Sequence, residues 1–430
     1  MDGRYGSSAR ALGLAAHYAF PITRRDGLRF RNARAAALGR WSGASFFYSR
    51  VFGNWGVGHS LLIRGTSVVS REFATGFSIP VKRSFSSYGK MDSSDDEGRH
   101  FVIVALETFY VPVPNFNFPR GYTYEIKEYS RTRPEEVAER IKNANIVLAV
   151  VVPITAAALS VEASPHLKMI SVVASGTDNV DLDACRARGI VVANAPRCNT
   201  VSVAEHIMAL YFATRRSMVL SHTQVQAGEW PKKGSLQETL NGPDGKPPKT
   251  CRQEKLGIIG NGAVGKAVAE MAHALGMRTR NAARKGTYEI KDRRTGRTPF
   301  EDVIQECSVI VLCLPRTPET LNLISEAELN MMQPYTIIIN ASRGGIVDEK
   351  AVIAALREKK IAGYGTDVYE TEPASSENSL LVGPDTAGLN LVTTPHVAWV
   401  AEDTNTHYNW ATMENVEGWL KTGQPKHPVI

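Results

Sequence analysis

The chain has 430 residues, of which 43% are apolar and 22% are charged. These proportions are ordinary for a globular protein and argue against a collagen-like, coiled-coil or mainly disordered architecture. The length predicts two or three domains, at roughly 150 residues each. The longest nearly apolar run, residues 146–159, is too short to span a bilayer, so no membrane partner is expected.

The net charge of +7 originates in the N-terminal segment. Residues 1–90 alone carry a net charge of +11, so residues 91–430 sum to −4. Because nucleic-acid phosphates demand a basic surface, the acidic remainder of the chain predicts no nucleic-acid partner.

The basic segment itself is poor in acids and has no sustained hydrophobic period. Three interpretations remain open: an unstructured extension upstream of Met91, a mitochondrial presequence, or a basic binding arm. We expect residues 1–96 to lie outside the folded domains. We expect the protein to be cytoplasmic, or mitochondrial if residues 1–90 are a presequence.

From residue 101 onward, short runs rich in Val and Ile alternate with amphipathic stretches. Continuous apolar runs predict strands that are covered on both faces, and their alternation with helices predicts parallel pairing. Strands are predicted over residues 101–107, 145–152, 167–176 and 189–196, and a helix over residues 134–144.

A long helix is predicted over residues 200–216 with Thr200 as its N-cap, and a loop rich in Gly and Pro over residues 234–254. The alternation then resumes. Strands are predicted over residues 255–260, 277–283, 308–315, 335–342, 363–369 and 390–396, and helices up to about 275, over 348–360 and over 403–420. The sequence therefore predicts an α/β fold with two doubly wound units in series.

A glycine-rich turn joins the first strand of the second series to its helix. Gly260, Gly262 and Gly265 fit the pattern GxGxxG, with Ala263 and Val264 between the last two glycines. The first glycine permits the tight turn, the second lets the backbone approach a pyrophosphate, and the third allows close helix–strand contact. The N-terminus of the helix then faces the phosphates with its free N–H groups. This context predicts a dinucleotide-binding turn.

The next strand indicates which dinucleotide is bound. An acid at its end would accept hydrogen bonds from the ribose hydroxyls of NAD. Ala283 occupies that end, and Arg284 and Lys285 follow. A missing anion and two cations favour the 2′-phosphate of NADP, with NAD as the alternative.

Three further segments place polar residues after predicted strands: residues 340–349 with Arg343, 365–373 with Glu372, and 394–399 with His396. Together with the glycine turn, SGTDNVD (175–181), NAPRCNTVSVAEH (194–206) and LPRTPET (314–320), they resemble the D-isomer-specific 2-hydroxyacid dehydrogenases. The likeness is to members of the glyoxylate and hydroxypyruvate reductase type and covers about residues 100–420.

The resemblance implies catalytic roles for Arg343, Glu372 and His396. Reduction of a 2-oxo acid needs a cation for the carboxylate and the polarised carbonyl, which a guanidinium supplies. The developing alkoxide needs a proton, and an imidazole, with an ordinary pKa of about 6.5, suits that task. A carboxylate beside the ring would favour its protonated form.

The resemblance also implies binding residues. Backbone N–H groups near Ser175 and Gly176 would bind the substrate carboxylate, because glycine lets the main chain approach a ligand. Thr317, Ala341 and Asp367 match positions that contact the cofactor.

Four other residues in the matched segments receive less specific interpretations. We expect Asp178 and Asp181 to be structural and His206 to be packed within the long helix. Trp399 could line the substrate pocket or belong to the core, and the sequence favours neither.

By the same resemblance, two Rossmann-like domains face each other across a cleft. The substrate domain would contain residues 97–198 and 398–430, and the dinucleotide-binding domain, residues 199–397, would be inserted between those pieces. Members of this family usually form dimers through the cofactor domain, so we expect a homodimer.

The function expected is reduction of a small 2-oxo acid, such as glyoxylate or hydroxypyruvate, to the D-2-hydroxy acid with NADPH. Five cysteines without a CxxC pair predict reduced thiols and no metal. The two alternatives are a formate dehydrogenase, which would lack the equivalent of Glu372, and a non-enzymatic dinucleotide-sensing regulator similar to the corepressor relatives of the family. A turnover assay separates the regulator from an enzyme.

Overall fold

The computed structural model describes residues 99–287 and 296–430, and these residues form two parallel sheets with helices on both faces. The predicted α/β class with two doubly wound units is confirmed. Residues 1–98, which include the basic segment, lie outside the described residues, so its three interpretations stay open.

The first sheet has five parallel strands in the spatial order β2-β1-β3-β4-β5. They are β1 (Arg99–Ala105), β2 (Tyr122–Glu128), β3 (Ile146–Ala149), β4 (Met169–Val172) and β5 (Val191–Ala193). The central strands β3 and β4 are buried throughout, as the apolar runs predict. Strand β2 was not predicted. It lies at the sheet edge with every side chain at least partly exposed, so its sequence has no continuous apolar run.

The second sheet has six parallel strands in the order β11-β10-β9-β8-β6-β7. They are β6 (Lys255–Ile259), β7 (Arg278–Asn281), β8 (Val309–Leu312), β9 (Ile337–Asn340), β10 (Gly363–Thr366) and β11 (Leu391–Thr393). Each corresponds to a predicted strand but is shorter, because the predicted runs include the first residues of the following loops.

The described residues contain ten α-helices. They are α1 (Val137–Ile141), α2 (Leu182–Arg188), α3 (Thr200–Arg215), α4 (Met218–Gln226), α5 (Glu229–Lys233), α6 (Ala263–Ala274), α7 (Phe300–Glu306), α8 (Glu326–Met331), α9 (Glu349–Arg357) and α10 (Glu402–Thr422). None of these described helices is both long enough and apolar enough to cross a membrane.

Each sheet is covered by an apolar cluster on either face, which explains the double winding. The last helix, α10, returns to the first sheet, where Tyr408 and Trp419 pack in the same cluster as Phe101 and Ile103. The second sheet is thus inserted between the strands of the first sheet and the helix that completes their cover.

Two aspartates cap the first turns of α2 and α9. Asp181 accepts a hydrogen bond from Ala184 N (2.9 Å) at the start of α2, and this contact agrees with the structural role expected for it. Asp348 caps α9 in the same way. The prediction of Thr200 as an N-cap is wrong, because that residue is already helical and its hydroxyl donates to Arg197 O.

Candidate active site

The residues predicted to act together lie in the loops that leave the carboxyl ends of four strands. These loops follow β4, β9, β10 and β11, and they carry Gly176, Arg343, Glu372 and His396, respectively. Within one parallel sheet the carboxyl ends share an edge, so the loops after β9, β10 and β11 start side by side. The loop after β4 belongs to the other sheet and meets them at Arg343.

Arg343 connects the two sheets across this edge. Its Nε donates to Asp178 Oδ2 (2.9 Å), and its Nη1 donates to the carbonyl of Ser342 (2.8 Å). A Cβ added to Gly176 would overlap the guanidinium, so the arginine lies directly against the glycine backbone. The absence of a side chain at Gly176 is therefore required for this contact. Sequence reasoning missed the ion pair with Asp178, because the partner is 165 residues away in the chain.

The loop after β4 also presents backbone donors. Ser175 Oγ lies 3.0 Å from Asn199 Oδ1, and its carbonyl accepts from Asn194 Nδ2 (2.8 Å). Within the described part of the chain, the N–H groups of Ser175 and Gly176 have no protein acceptor. Two N–H groups beside a guanidinium form a suitable site for a carboxylate.

His396 and Glu372 form a close pair. Nδ1 of the imidazole lies 2.6 Å from Glu372 Oε2, and Glu372 Oε1 accepts from Tyr369 N (3.0 Å). Burial raises the pKa of Glu372. The hydrogen bond and charge of His396, the Tyr369 N–H and the Arg343 charge outweigh burial, so the net pKa lies below its usual range. The carboxylate is therefore ionised at neutral pH, and the ring turns Nε2 away from it. The imidazole side chain remains 40% exposed, so a ligand can approach.

The backbone of His396 is in the left-handed region, with φ = 53°. Such a φ is uncommon for a residue with a side chain and persists only where neighbouring contacts hold it. His396 N donates to the carbonyl of Asp367 (2.9 Å), and the next two amides, Val397 N and Ala398 N, donate to the Asp367 carboxylate at 3.0 and 2.8 Å. Trp399 Nε1 donates to the carbonyl of His396 (3.0 Å). These hydrogen bonds fix the backbone of the turn and thereby the position from which the imidazole projects.

Asp367 is fully buried, at 0% exposure. Its carboxylate also accepts from Thr394 Oγ1 (2.6 Å), which in turn lies 2.9 Å from His206 Nε2. The structure thus gives Asp367 a positioning contact with the His396 turn, and its predicted contact with the cofactor stays a prediction. His206 is part of this network, a link that its position within a helix could not reveal.

The glycine turn leaves open space where a phosphate-bearing ligand would lie. Gly260 has φ = 108°, and a Cβ on it would overlap the carbonyl of Cys313. A Cβ on Gly265 would overlap the carbonyl of Gly260. A Cβ on Gly262 would meet nothing within 4 Å, and helix α6 begins at the next residue, Ala263, followed by Val264. Two glycines are thus needed by the fold and one faces free space, an arrangement that fits a dinucleotide.

The other predicted cofactor residues lie near the same edge. Ala341 directly follows β9, and Thr317 follows β8 in a turn closed by Thr317 N donating to Thr320 Oγ1 (2.7 Å). Ala283 follows β7 and is buried, as expected for a strand end without an acid.

The two cations after Ala283 differ in their surroundings. Lys285 Nζ lies 2.8 Å from Glu328 Oε1, so its charge is largely compensated. Arg284 is exposed and forms no salt bridge with a described residue. Arg284 is therefore the more available of the two for an anionic ligand.

Aromatic rings stand beside the His396 turn. The ring of Trp399 lies 6.2 Å from that of Tyr110 and 6.3 Å from that of Tyr408, measured between centroids. Trp399 is partly buried against the apolar clusters and donates to the His396 carbonyl, which agrees with a packing role, and its lining of a substrate pocket stays a prediction. The five cysteines are free thiols, and the described residues contain no group of three or more His, Cys, Asp or Glu arranged for a metal.

Comparison with known proteins relates this arrangement to one family. The family model described as "D-isomer specific 2-hydroxyacid dehydrogenase, NAD binding domain" matches residues 208–398. Glycerate dehydrogenase of Methylorubrum extorquens is 36% identical over 329 residues, which are 76% of this chain and 98% of the relative. Glyoxylate/hydroxypyruvate reductase B of Klebsiella pneumoniae is 34% identical over 293 residues, 67% of this chain and 85% of the relative.

Solved structures show the same fold. The TT0316 protein of Thermus thermophilus superposes with a TM-score of 0.63 and 28% identity, covering 76% of this chain and all of its own. An NADPH-dependent glyoxylate/hydroxypyruvate reductase of Sinorhizobium meliloti, solved with NADP and malonate, gives a TM-score of 0.60, covering 76% of this chain and 96% of its own. At 24% identity, the second likeness concerns the fold alone.

The glycine turn generates a test that separates folding from binding. We expect Gly262→Ala to keep the wild-type Tm, because its Cβ would face open space, while Kd for NADPH rises at least about tenfold. The control Gly260→Ala should lower stability by about 1–3 kcal/mol or more, because it adds a left-handed strain and a backbone overlap. Calorimetry for Tm and fluorescence titration for Kd make the comparison. Unchanged NADPH affinity in Gly262→Ala would exclude the turn as the phosphate site.

Proposed function

Because the chain belongs to the D-isomer-specific 2-hydroxyacid dehydrogenase family, and is an NAD(P)-dependent oxidoreductase, we propose that it reduces a small 2-oxo acid to the D-2-hydroxy acid. The substrate class is that of glyoxylate and hydroxypyruvate. The observation that carries the proposal is the arrangement of Arg343 against Gly176 at the same sheet edge as the His396–Glu372 pair.

The substrate anion would bind between the two sheets. Arg343 and the N–H groups of Ser175 and Gly176 would hold its carboxylate, and the guanidinium would also polarise the 2-oxo group. Support comes from the contact of the guanidinium with Gly176 and from the two amides without a protein acceptor among the described residues. Binding of this kind orients the carbonyl for reaction.

Proton transfer falls to His396. When bound, a reduced nicotinamide supplies the hydride for the carbonyl carbon. The protonated Nε2 of His396 would then donate to the carbonyl oxygen, while Glu372 holds the opposite nitrogen and stabilises the imidazolium. In the reverse direction the neutral imidazole would take the hydroxyl proton of the D-2-hydroxy acid.

For the cofactor we propose a preference for NADP, with NAD as the alternative. Residues Gly260 to Gly265 would hold the pyrophosphate, and Arg284 would bind the 2′-phosphate with help from Lys285. Thr317, Ala341 and Asp367 are proposed as further contacts by the family resemblance.

We propose the division of labour between segments that the resemblance implies. Residues 97–198 and 398–430 would bind substrate, and residues 199–397 would bind the dinucleotide. The packing of α10 on the first sheet supports the grouping of the C-terminal stretch with the first segment. A cytoplasmic location, or a mitochondrial one if residues 1–90 are a presequence, stays a prediction. A non-enzymatic regulator finds no support among the relatives named above, which are dehydrogenases and reductases.

The catalytic assignment predicts large losses on substitution. Arg343→Ala and His396→Ala should each lower kcat/KM for NADPH-dependent reduction of glyoxylate and hydroxypyruvate by about 10²- to 10⁴-fold, because carboxylate binding or proton donation is removed. Arg357→Ala, on the outer end of α9, is the control and should keep wild-type rates. Near-normal activity in both site variants would refute the proposed function.

The Glu372–His396 pair predicts a pH dependence. The lowered pKa of Glu372 keeps its charge present through the neutral range, and reduction consumes a proton that the paired imidazole would supply. The rate should therefore fall at alkaline pH. Glu372→Gln removes the anion that favours the proton-donating form of the ring, so the fall should begin at lower pH. A kcat/KM profile that is flat through pH 9, or that shifts upward in the variant, would contradict the pairing.

Cofactor choice is tested at the two cations. We expect Arg284→Ala to raise KM for NADPH at least about tenfold with little effect on KM for NADH, because a charge-assisted contact to the 2′-phosphate is lost. Lys285→Ala should have a smaller effect, since Glu328 already compensates that charge. Steady-state kinetics with both dinucleotides decides. A wild-type preference for NADH would overturn the NADP assignment.

We further propose a homodimer that buries helices α4 and α5. Neither helix has a buried residue in the single chain, and their exposed apolar side chains include Val219 and Trp230. Sedimentation of the full chain should give twice the mass of one chain at micromolar concentration. Val219→Asp with Trp230→Glu should give monomers, whereas Val161→Asp, at an exposed apolar position outside these helices, should not. A monomeric wild type would contradict the assignment.

A further inference from the structure

The peptide bond between Tyr369 and Glu370 is held from two directions by the segment that carries Arg343. A Cβ on Gly344 would overlap the carbonyl carbon and oxygen of Tyr369, so the glycine backbone lies directly against this peptide. Glu349 Oε1 accepts a hydrogen bond from Glu370 N at 2.9 Å. Both contacts come from residues 344–349.

The second oxygen of Glu349 anchors the next part of the same loop. Ser379 Oγ donates to Glu349 Oε2 at 2.6 Å, and Leu381 N donates to Ser379 Oγ at 3.2 Å. Glu349, Ser379 and Leu381 are all buried. The long connection between Glu372 and His396 is therefore tied at its start to one carboxylate.

This carboxylate is not needed by its own helix. Asp348 already caps α9 through Ala351 N at 2.9 Å. Burial of a carboxylate is costly unless hydrogen bonds compensate it, and both bonds made by Glu349 go to the loop. The two hydrogen bonds of the buried Glu349 side chain therefore hold the loop in a fixed position.

The ordered loop carries the partner of the imidazole. Glu372 lies two residues after Glu370, and its Oε1 accepts a hydrogen bond from Tyr369 N. Tyr369 is also the residue whose carbonyl lies against Gly344. A displacement of the Tyr369–Glu370 peptide would therefore move Glu372 relative to both His396 and Arg343.

We propose that Glu349 is a positioning residue that holds Glu372 at hydrogen-bonding distance from His396 and in register with Arg343. The inference rests on the proposed function, because it assigns a purpose to the geometry of that site. It concerns a residue that touches neither substrate nor cofactor and acts through the loop.

A change in the loop should appear in the pH profile. The charged groups that face His396 are Glu372 directly, Arg343 near that carboxylate, and Asp367 beneath the turn, with His206 lying 3.6 Å from Asp367 Oδ1. Glu349 makes no hydrogen bond to any of these groups among the described residues, and it acts on Glu372 through the Tyr369–Glu370 peptide. Loss of Glu349 should therefore weaken the support of the imidazolium and leave the Asp367 contacts unchanged.

The experiment compares Glu349→Ala, Glu349→Gln and the control Glu358→Ala, whose carboxylate sits at the other end of α9 in an exposed pair with Lys360. Glu349→Ala should lower kcat for hydroxypyruvate reduction on the order of 10- to 100-fold, as misplacement of a catalytic group does. Its alkaline limb should move to lower pH, and KM for NADPH should stay unchanged. Glu349→Gln should recover most of kcat and the wild-type limb, because the amide oxygen accepts from Glu370 N and the amide nitrogen donates to Ser379 Oγ.

A fall in kcat without a shift of the alkaline limb, or a Glu349→Gln variant as impaired as Glu349→Ala, would overturn the inference. If Glu349→Ala does not fold, Ser379→Ala removes one anchor only and should shift the limb in the same direction by less; no shift would again overturn it. Failure of the proposed function is a separate result, in which the wild type does not reduce 2-oxo acids or the Arg343 and His396 variants remain active.

Discussion

The buried carboxylate of Asp367 is the anchor on which the geometry of the site depends. It accepts hydrogen bonds from the two amides that follow His396 and a third from the Thr394 hydroxyl. The carboxylate thus fixes both sides of the turn that follows β11 and carries His396. Hydrogen bonds to an ionised acceptor are stronger than neutral ones and offset the strain of a left-handed φ at His396, about 1–3 kcal/mol. Because the carboxylate is fully enclosed, solvent does not compete for these bonds.

The parallel sheets explain why the functional residues converge. All strands of a parallel sheet have their carboxyl ends at the same edge. The loops that follow the adjacent strands β9, β10 and β11 therefore start next to one another. The loop after β4 belongs to the other sheet, and Arg343 links it to them by pairing with Asp178 and packing on Gly176. The contact between the sheets at the site is thus a charged side chain against a bare backbone, and its closeness depends on a glycine.

The parts of this fold that could be predicted from sequence are those whose signal is local. Buried strands such as β8 and β9 appear as apolar runs, and the glycine turn appears as a short pattern between a strand and a helix. Strand β2 could not be predicted, because an exposed edge strand mixes polar and apolar residues and owes its conformation to pairing with β1. The roles of Asp178, His206 and Glu349 were also hidden, since their hydrogen-bond partners lie 165, 188 and 21–30 residues away. A hydrogen bond between residues far apart in the chain leaves no local sequence pattern. A family resemblance assigns roles only to the residues that belong to the family's known motifs.

The pairing of Arg343 with Asp178 leaves several N–H donors of the guanidinium without a hydrogen-bond partner among the described residues. A guanidinium has five N–H donors, of which Nε serves Asp178 and one on Nη1 serves the Ser342 carbonyl. The three remaining donors include both on Nη2, the nitrogen that lies against Gly176. A substrate carboxylate bound at the Ser175 and Gly176 amides would therefore meet donors that are still available, and it need not displace Asp178. The ion pair then fixes the plane of the guanidinium before substrate arrives, so less orientational freedom is lost on binding. In the proposed complex, Asp178 would therefore contribute to anion recognition by restricting the orientation of the guanidinium that binds the anion.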